Sequence, residues 1–160
     1  MITESGGVVV KTTQYPSSVN VQSTKAEVRI NDNGHGFATV ETEYAGLQYE
    51  NGGLDNLLND QFDEQRKWVQ QNTNIPSFDI VKFNFANQKA RIPKAKVSLE
   101  LGLPRLATVN GKRVFITPNL MNRITYVPER VDSRETDVVL RIGYTDYDTI
   151  RFSIPENLYP

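Results

Sequence analysis

The chain has 160 residues, no cysteine, and 18 Lys+Arg against 19 Asp+Glu, for a net charge of −1. That length suits one domain with a sizeable core. Balanced charge leaves no electrostatic footprint for nucleic acid or an anionic membrane, and the lack of cysteine excludes disulfides, thiolate metal sites and cysteine nucleophiles.

Residues 7–13, GVVVKTT, read as a short strand. The clearest hairpin follows. Ala26, Val28 and Ile30 alternate with Lys25, Glu27 and Arg29, then Ala38, Val40, Thr42 and Tyr44 alternate with Phe37, Thr39, Glu41 and Glu43. Period 2 with one polar face is the pattern of a half-buried antiparallel pair. Asp32-Asn33-Gly34 fits a three-residue loop with Gly34 left-handed. The register that follows sets Val28 opposite Ala38, Ala26 opposite Val40 and Lys25 opposite Glu41. A slip of one residue would bury Lys25 and Arg29.

Alternation is lost over residues 45–59, which contain Gly46, Gly52 and Gly53. A helix is expected over residues 61–71, with Asp60 as N-cap, Asp63 and Glu64 in the first turn, and Asp63 paired to Lys67. Leu58, Phe62 and Val69, with Trp68 beside them, form its apolar stripe. Residues 78–85 change parity between Ile80 and Val81, which predicts a bulge. Ala95, Val97, Leu99 and Leu101 alternate as a strand. Residues 106–109 and 113–117 flank Asn110-Gly111, read as the two central residues of a hairpin turn, and Pro118 ends that strand. Val138, Leu140, Ile142 and Tyr144 are expected as a strand that turns around Asp146 and returns as Ile150, Phe152 and Ile154. Short strands with regular turn signals predict an all-β, mainly antiparallel β-sandwich, with one short α-helix crossing a face or end.

The residues that could carry chemistry are few. His35, the only histidine, sits in a loop without a partner to orient it, which reads as a solvated residue. Asn31-Asp32-Asn33-Gly34 lacks the ligand spacing and terminal Glu of a calcium loop. Glu41/Glu43 and Asp146/Asp148 are the carboxylate pairs available for glycoside hydrolysis, but Glu41 and Glu43 fall on the polar face. Tyr44, Tyr49, Tyr144 and Tyr147 could make a sugar-stacking platform. Tyr44 and Tyr144 share parity with core positions and are expected to pack, whereas Tyr147 is expected at the surface. Trp68 reads as an anchor of helix to sheet. No phosphate-binding glycine loop is present, and basic residues are not interleaved with aromatics. The expectation is no catalytic residue, no cofactor and no metal. No apolar run reaches the ~18 residues of a membrane span, so no span is expected.

YPSSVNVQSTKAEVRINDNGHGFATVETEYAGLQYEN, then DEQRKWVQQ, then GKRVFITPNLMNRITYVPERVDSRETDVVLRIGYTDYDTIRFSIPE resembles the C-terminal β-rich domain, of unknown function, of exported bacterial proteins in which it follows a transglutaminase-like domain. The resemblance spans residues 15–158. It implies a leader at 1–14 that is the tail of the preceding domain, a single β-sandwich over 15–160, and a non-catalytic accessory role beside the transglutaminase-like domain in the periplasm or another exported compartment. Met1–Ser5 has no signal-peptide character, so an exported protein would contain this chain as an excised piece. The same resemblance implies a further β-rich segment after Pro155. Without it, residues 150–154 would form an open edge available to a second copy or to residues 8–12. A glycan- or envelope-binding module is the alternative reading. A hydrolase using surface carboxylates is the third.

Overall fold

In the computed structural model the described residues are 14–88, 90–124, 126–139 and 142–158, with Asn51 described by its backbone only. Two dipeptides near the N-terminus, β1 (Ile2–Thr3) and β2 (Gly6–Gly7), pair with each other through their backbones. The expected strand over 7–13 otherwise lies outside the described residues, as does Leu140.

The architecture is mostly β and sandwich-like, with 41% strand and 14% helix. Its main sheet contains β3 (Val21–Ile30), β4 (Gly36–Ala45), β5 (Asp79–Gln88), β6 (Lys94–Leu103) and β9 (Thr145–Ser153) in the order β5-β6-β4-β3-β9. A small second sheet is the hairpin of β7 (Ala107–Asn110) and β8 (Arg113–Ile116). Three helices lie between β4 and β5: α1 (Leu47–Asn51), α2 (Leu54–Leu57) and α3 (Phe62–Asn72).

Alternation decides which face is covered. Ala26, Val28, Ala38, Val40, Val97 and Leu101 are buried, and Leu54, Leu57 and Val69 from the helices join them in one core. The opposite face is polar. Lys96 Nζ lies 2.9 Å from Glu41, Lys94 Nζ 3.2 Å from Glu43, and Arg151 Nη1 2.9 Å from Glu27. These exposed pairs each contribute at most about 1 kcal/mol. They favour the observed order of strands more than they stabilise it.

The β3–β4 register sets Val28 opposite Ala38, Ala26 opposite Val40 and Lys25 opposite Glu41. Gly34 has φ 77°, and the Asn31 N–H donates to the His35 carbonyl at 2.9 Å to close the loop. The β5–β6 register skips between Ile80 and Lys82, so Val81 is the bulged residue.

Elsewhere the structure corrects the expectation. Residues 45–59 form two short helices, which four- or five-residue segments between glycines do not announce. Gln61, not Asp60, occupies the N-cap of α3, without a side-chain cap bond. Lys67 pairs with Glu64, one turn away at 3.8 Å, rather than with Asp63. In the β7–β8 hairpin Asn110 pairs with Arg113, so the turn residues are Gly111 and Lys112; Gly111 alone has positive φ, 62°. A glycine in the first turn position suits a II′ geometry, whereas Asn-Gly as the central pair would need positive φ at both residues.

The largest correction is β9. It runs unbroken from Thr145 to Ser153 with no turn at Asp146, and Val138, Val139, Ile142 and Tyr144 lie outside it. It pairs with β3 in parallel, which makes the sheet mixed, and its outer side is an edge among the described residues.

Candidate functional site

The candidate site is a cavity of about 270 Å³ where one end of the main sheet meets α1, the end of α3 and residues 121–122. Sheet register builds its floor. Gln22 of β3 is paired with Tyr44 of β4 on one side and with Asp146 of β9 on the other. Paired residues project to the same face, so these three form a row across three strands on the helix-covered side.

Asn20 holds the other elements against that row. It is completely buried. Its Nδ2 donates to the Gly143 carbonyl at 2.8 Å and to the Tyr15 carbonyl at 3.3 Å, while its Oδ1 accepts from the Leu47 N–H at 3.0 Å. Its backbone carbonyl accepts from the Thr145 N–H at 2.9 Å. One side chain therefore joins the start of α1 to the start of β9. Close approach here requires glycine at 46. Gly46 has φ 62° and ψ −134°, and a Cβ there would lie 2.6 Å from Asn20 Oδ1. That backbone region is essentially restricted to glycine.

Gln48, one residue after the Leu47 contact, reaches Asp146: its Nε2 donates to Oδ1 at 2.8 Å. Asn122 Nδ2 donates to the other oxygen, Oδ2, at 2.9 Å. On the far wall Asn72 Nδ2 donates to the Trp68 carbonyl at 2.9 Å. A carboxylate and a peptide carbonyl can only accept, so each of these amides must present nitrogen to its partner. The oxygens of Gln48, Asn72 and Asn122 are left as acceptors in residues that line the cavity.

Trp68 and Tyr44 supply the aromatic wall. Trp68 meets Tyr44 edge-on at 6.2 Å and Phe85 at 5.6 Å, and its Nε1–H donates to the Gly52 carbonyl at 2.9 Å. The Tyr44 phenol is pushed up to about 12, first by burial and then by the negative charges of Asp146 and Asp148. It stays protonated through the physiological range.

That shift has a consequence for stability. The folded value lies above the ordinary 10.0. Below about pH 10 both folded and unfolded chains hold the proton, and nothing is lost. As pH rises from about 10 toward about 12 the unfolded chain ionises first, so stability falls, by ~3 kcal/mol in total. Stability curves of the wild type and Tyr44→Phe, followed from about pH 9 upward, should diverge by that amount. Parallel curves would show that the ring is solvated.

The other residues singled out in the sequence do not converge. His35 is exposed at a hairpin tip, where its N–H and that of Asn33 both donate to Asn31 Oδ1 at 3.0 Å. Asn31 thus satisfies its own turn. Glu41 and Glu43 face their lysines on the polar side of the sheet. Tyr49 is buried in the core, while Tyr144 and Tyr147 are exposed, so the four tyrosines form no platform; Tyr144 does not pack as expected. Asp146 orients amides. In the sequence it stood out only as a turn residue and for its pairing with Asp148. Gln48, Asn72, Asn122 and Asn20 were missed altogether.

A second hollow of about 340 Å³ lies alongside, sharing Asn74 with the first and bounded by Arg105 and Arg123 above Ile75 and Leu120. No helix among the described residues is long and apolar enough to cross a membrane. Compared with known protein families, curated proteins and solved structures, the chain finds no match.

Proposed function

We propose that this chain is a non-catalytic accessory domain, acting by contact with a neighbouring transglutaminase-like domain of an exported protein. The identity of that neighbour rests on the segment resemblance described above. The docking role is supported by one observation. Between β8 and β9 the described residues form neither helix nor strand, yet they display Ile124 (77% exposed), Tyr126 (77%), Val127 (84%), Val138 (67%) and Val139 (76%). Single exposed apolar residues need no explanation, but their concentration along one segment supports the reading that a partner covers it.

Two measurements test this reading. The reading frame upstream of the chain should encode a transglutaminase-like domain; any other upstream neighbour overturns the assignment. Titrated against that domain expressed separately, the chain should bind. The double variant Val127→Asp, Val139→Asp should weaken binding ~30-fold, the equivalent of losing one ~2 kcal/mol hot spot. Its melting temperature should stay unchanged, because both side chains are exposed. Equal affinity for the variant would remove this surface from the interface.

A further inference from the structure

We propose that the cavity between α1, the end of α3 and residues 121–122 is a saccharide subsite that takes one neutral sugar ring. The inference is independent of the docking surface, which lies on other residues.

A sugar ring offers many hydroxyl donors around an apolar C–H framework. The cavity offers the complement. Gln48, Asn72 and Asn122 each have the amide nitrogen committed to an acceptor-only partner, which leaves three carbonyl oxygens to receive hydroxyl protons. These orientations are fixed before any ligand arrives, because Asp146 holds two of the amides at 2.8 and 2.9 Å and the Trp68 carbonyl holds the third at 2.9 Å. The Tyr44 hydroxyl adds a group able both to donate and to accept. Trp68 and Met121 supply a small apolar part of a mainly polar lining. The volume of about 270 Å³ lies just below the usual range of small-ligand pockets, which limits an occupant to a single small ring.

Other ligand classes fit less well. An anion would face three carbonyl oxygens, with the Asp146 carboxylate behind two of the amides. A purely apolar ligand would strand those oxygens without partners. A metal cation would need anionic ligands beyond Asp146, and no group of three or more His, Asp or Glu able to hold one exists among the described residues.

Trp68 is the only tryptophan, so its indole N–H gives a single resonance beside the cavity. The test follows that signal and the side-chain amide signals of Gln48, Asn72 and Asn122 by ¹H–¹⁵N NMR. The probes are methyl glucoside, methyl galactoside, N-acetylglucosamine and, as the cationic control, methylammonium chloride. At least one sugar should give saturable shifts with a Kd of ~1–10 mM, and methylammonium should give none. Asn72→Ala removes an exposed side chain and should leave the fold intact, and Asn122→Ala removes the second acceptor. Each should weaken sugar binding about tenfold, the loss of one hydrogen bond. Failure of all three sugars to saturate below ~100 mM, unchanged binding in the Asn72→Ala, Asn122→Ala double variant, or saturation by methylammonium in place of a sugar would overturn the proposal.

Discussion

Asn20→Leu is expected to lower stability by ~3–4 kcal/mol, although leucine matches asparagine closely in size. The loss comes from what the side chain leaves behind. The Leu47 N–H and the Gly143 carbonyl are its two well-formed partners, at 3.0 and 2.8 Å. Stranding a buried donor or acceptor costs about 1–3 kcal/mol each, more than the net worth of the bond that was made. The gain from burying an apolar side chain does not cover two such groups. Asn20→Asp separates the two roles. It keeps an acceptor for Leu47 but turns an oxygen toward the Gly143 carbonyl, so it should also destabilise. Denaturant midpoints at constant m-value measure both changes. A loss below ~1 kcal/mol for Asn20→Leu would show that water replaces the side chain without penalty. Since Asn20 sets Gln48 against Asp146, the variant should also weaken binding in the adjacent cavity.

Trp68→Ala is expected to cost ~3 kcal/mol, the lower end for truncating a large aromatic, because the ring is only half-buried. Three contacts add up at this position: edge-on packing against Tyr44 and Phe85, and the hydrogen bond to Gly52. Trp68→Phe preserves most of the packing and deletes the bond, so it should lose only ~1 kcal/mol. Chemical denaturation of the two variants separates the terms. Equal losses for Ala and Phe would place the energy in the hydrogen bond rather than the ring.

Long strands with one wet face were the most legible part of this fold. In β3 and β4 every second residue reports burial, so the register could be read before the structure was seen, down to Lys25 opposite Glu41. The break in parity at Val81 exposed the bulge for the same reason. Local periodicity fails where the partner is distant. Val138 through Tyr144 alternate as a strand would, yet the hydrogen-bonded strand begins at Thr145 and its partner is Val21. Nothing within ten residues of β9 encodes a parallel neighbour. The candidate site was still harder to see. Trp68 and Tyr44 stood out because aromatics are few, but carboxamides have no periodic signature. They converge only through the Tyr44–Gln22–Asp146 row and the Asn20 brace. A run such as Gln70, Gln71, Asn72 and Asn74 at the end of a helix was the one local hint.

Strand β9 also imposes an order of assembly. Glu27 and Arg151, which face each other across β3 and β9, are 124 residues apart in the chain. The β3–β4 hairpin needs only a short loop to close, whereas the β4–β6 ladder must close over the three helices and β5. The β3–β9 ladder must gather nearly the whole chain, and loop closure over such a distance is met before any contact repays it. β9 is thus expected to dock after the β3–β4 hairpin and to open before the centre of the sheet, carrying Asp146 with it. Amide protons of Ile150 and Phe152 should exchange with solvent faster than those of Val40 and Leu99 at the centre of the sheet. The cavity that Asp146 organises is thereby tied to an edge strand of the sheet. A ligand that bound there would register as slowed exchange along β9, far beyond the residues it touched.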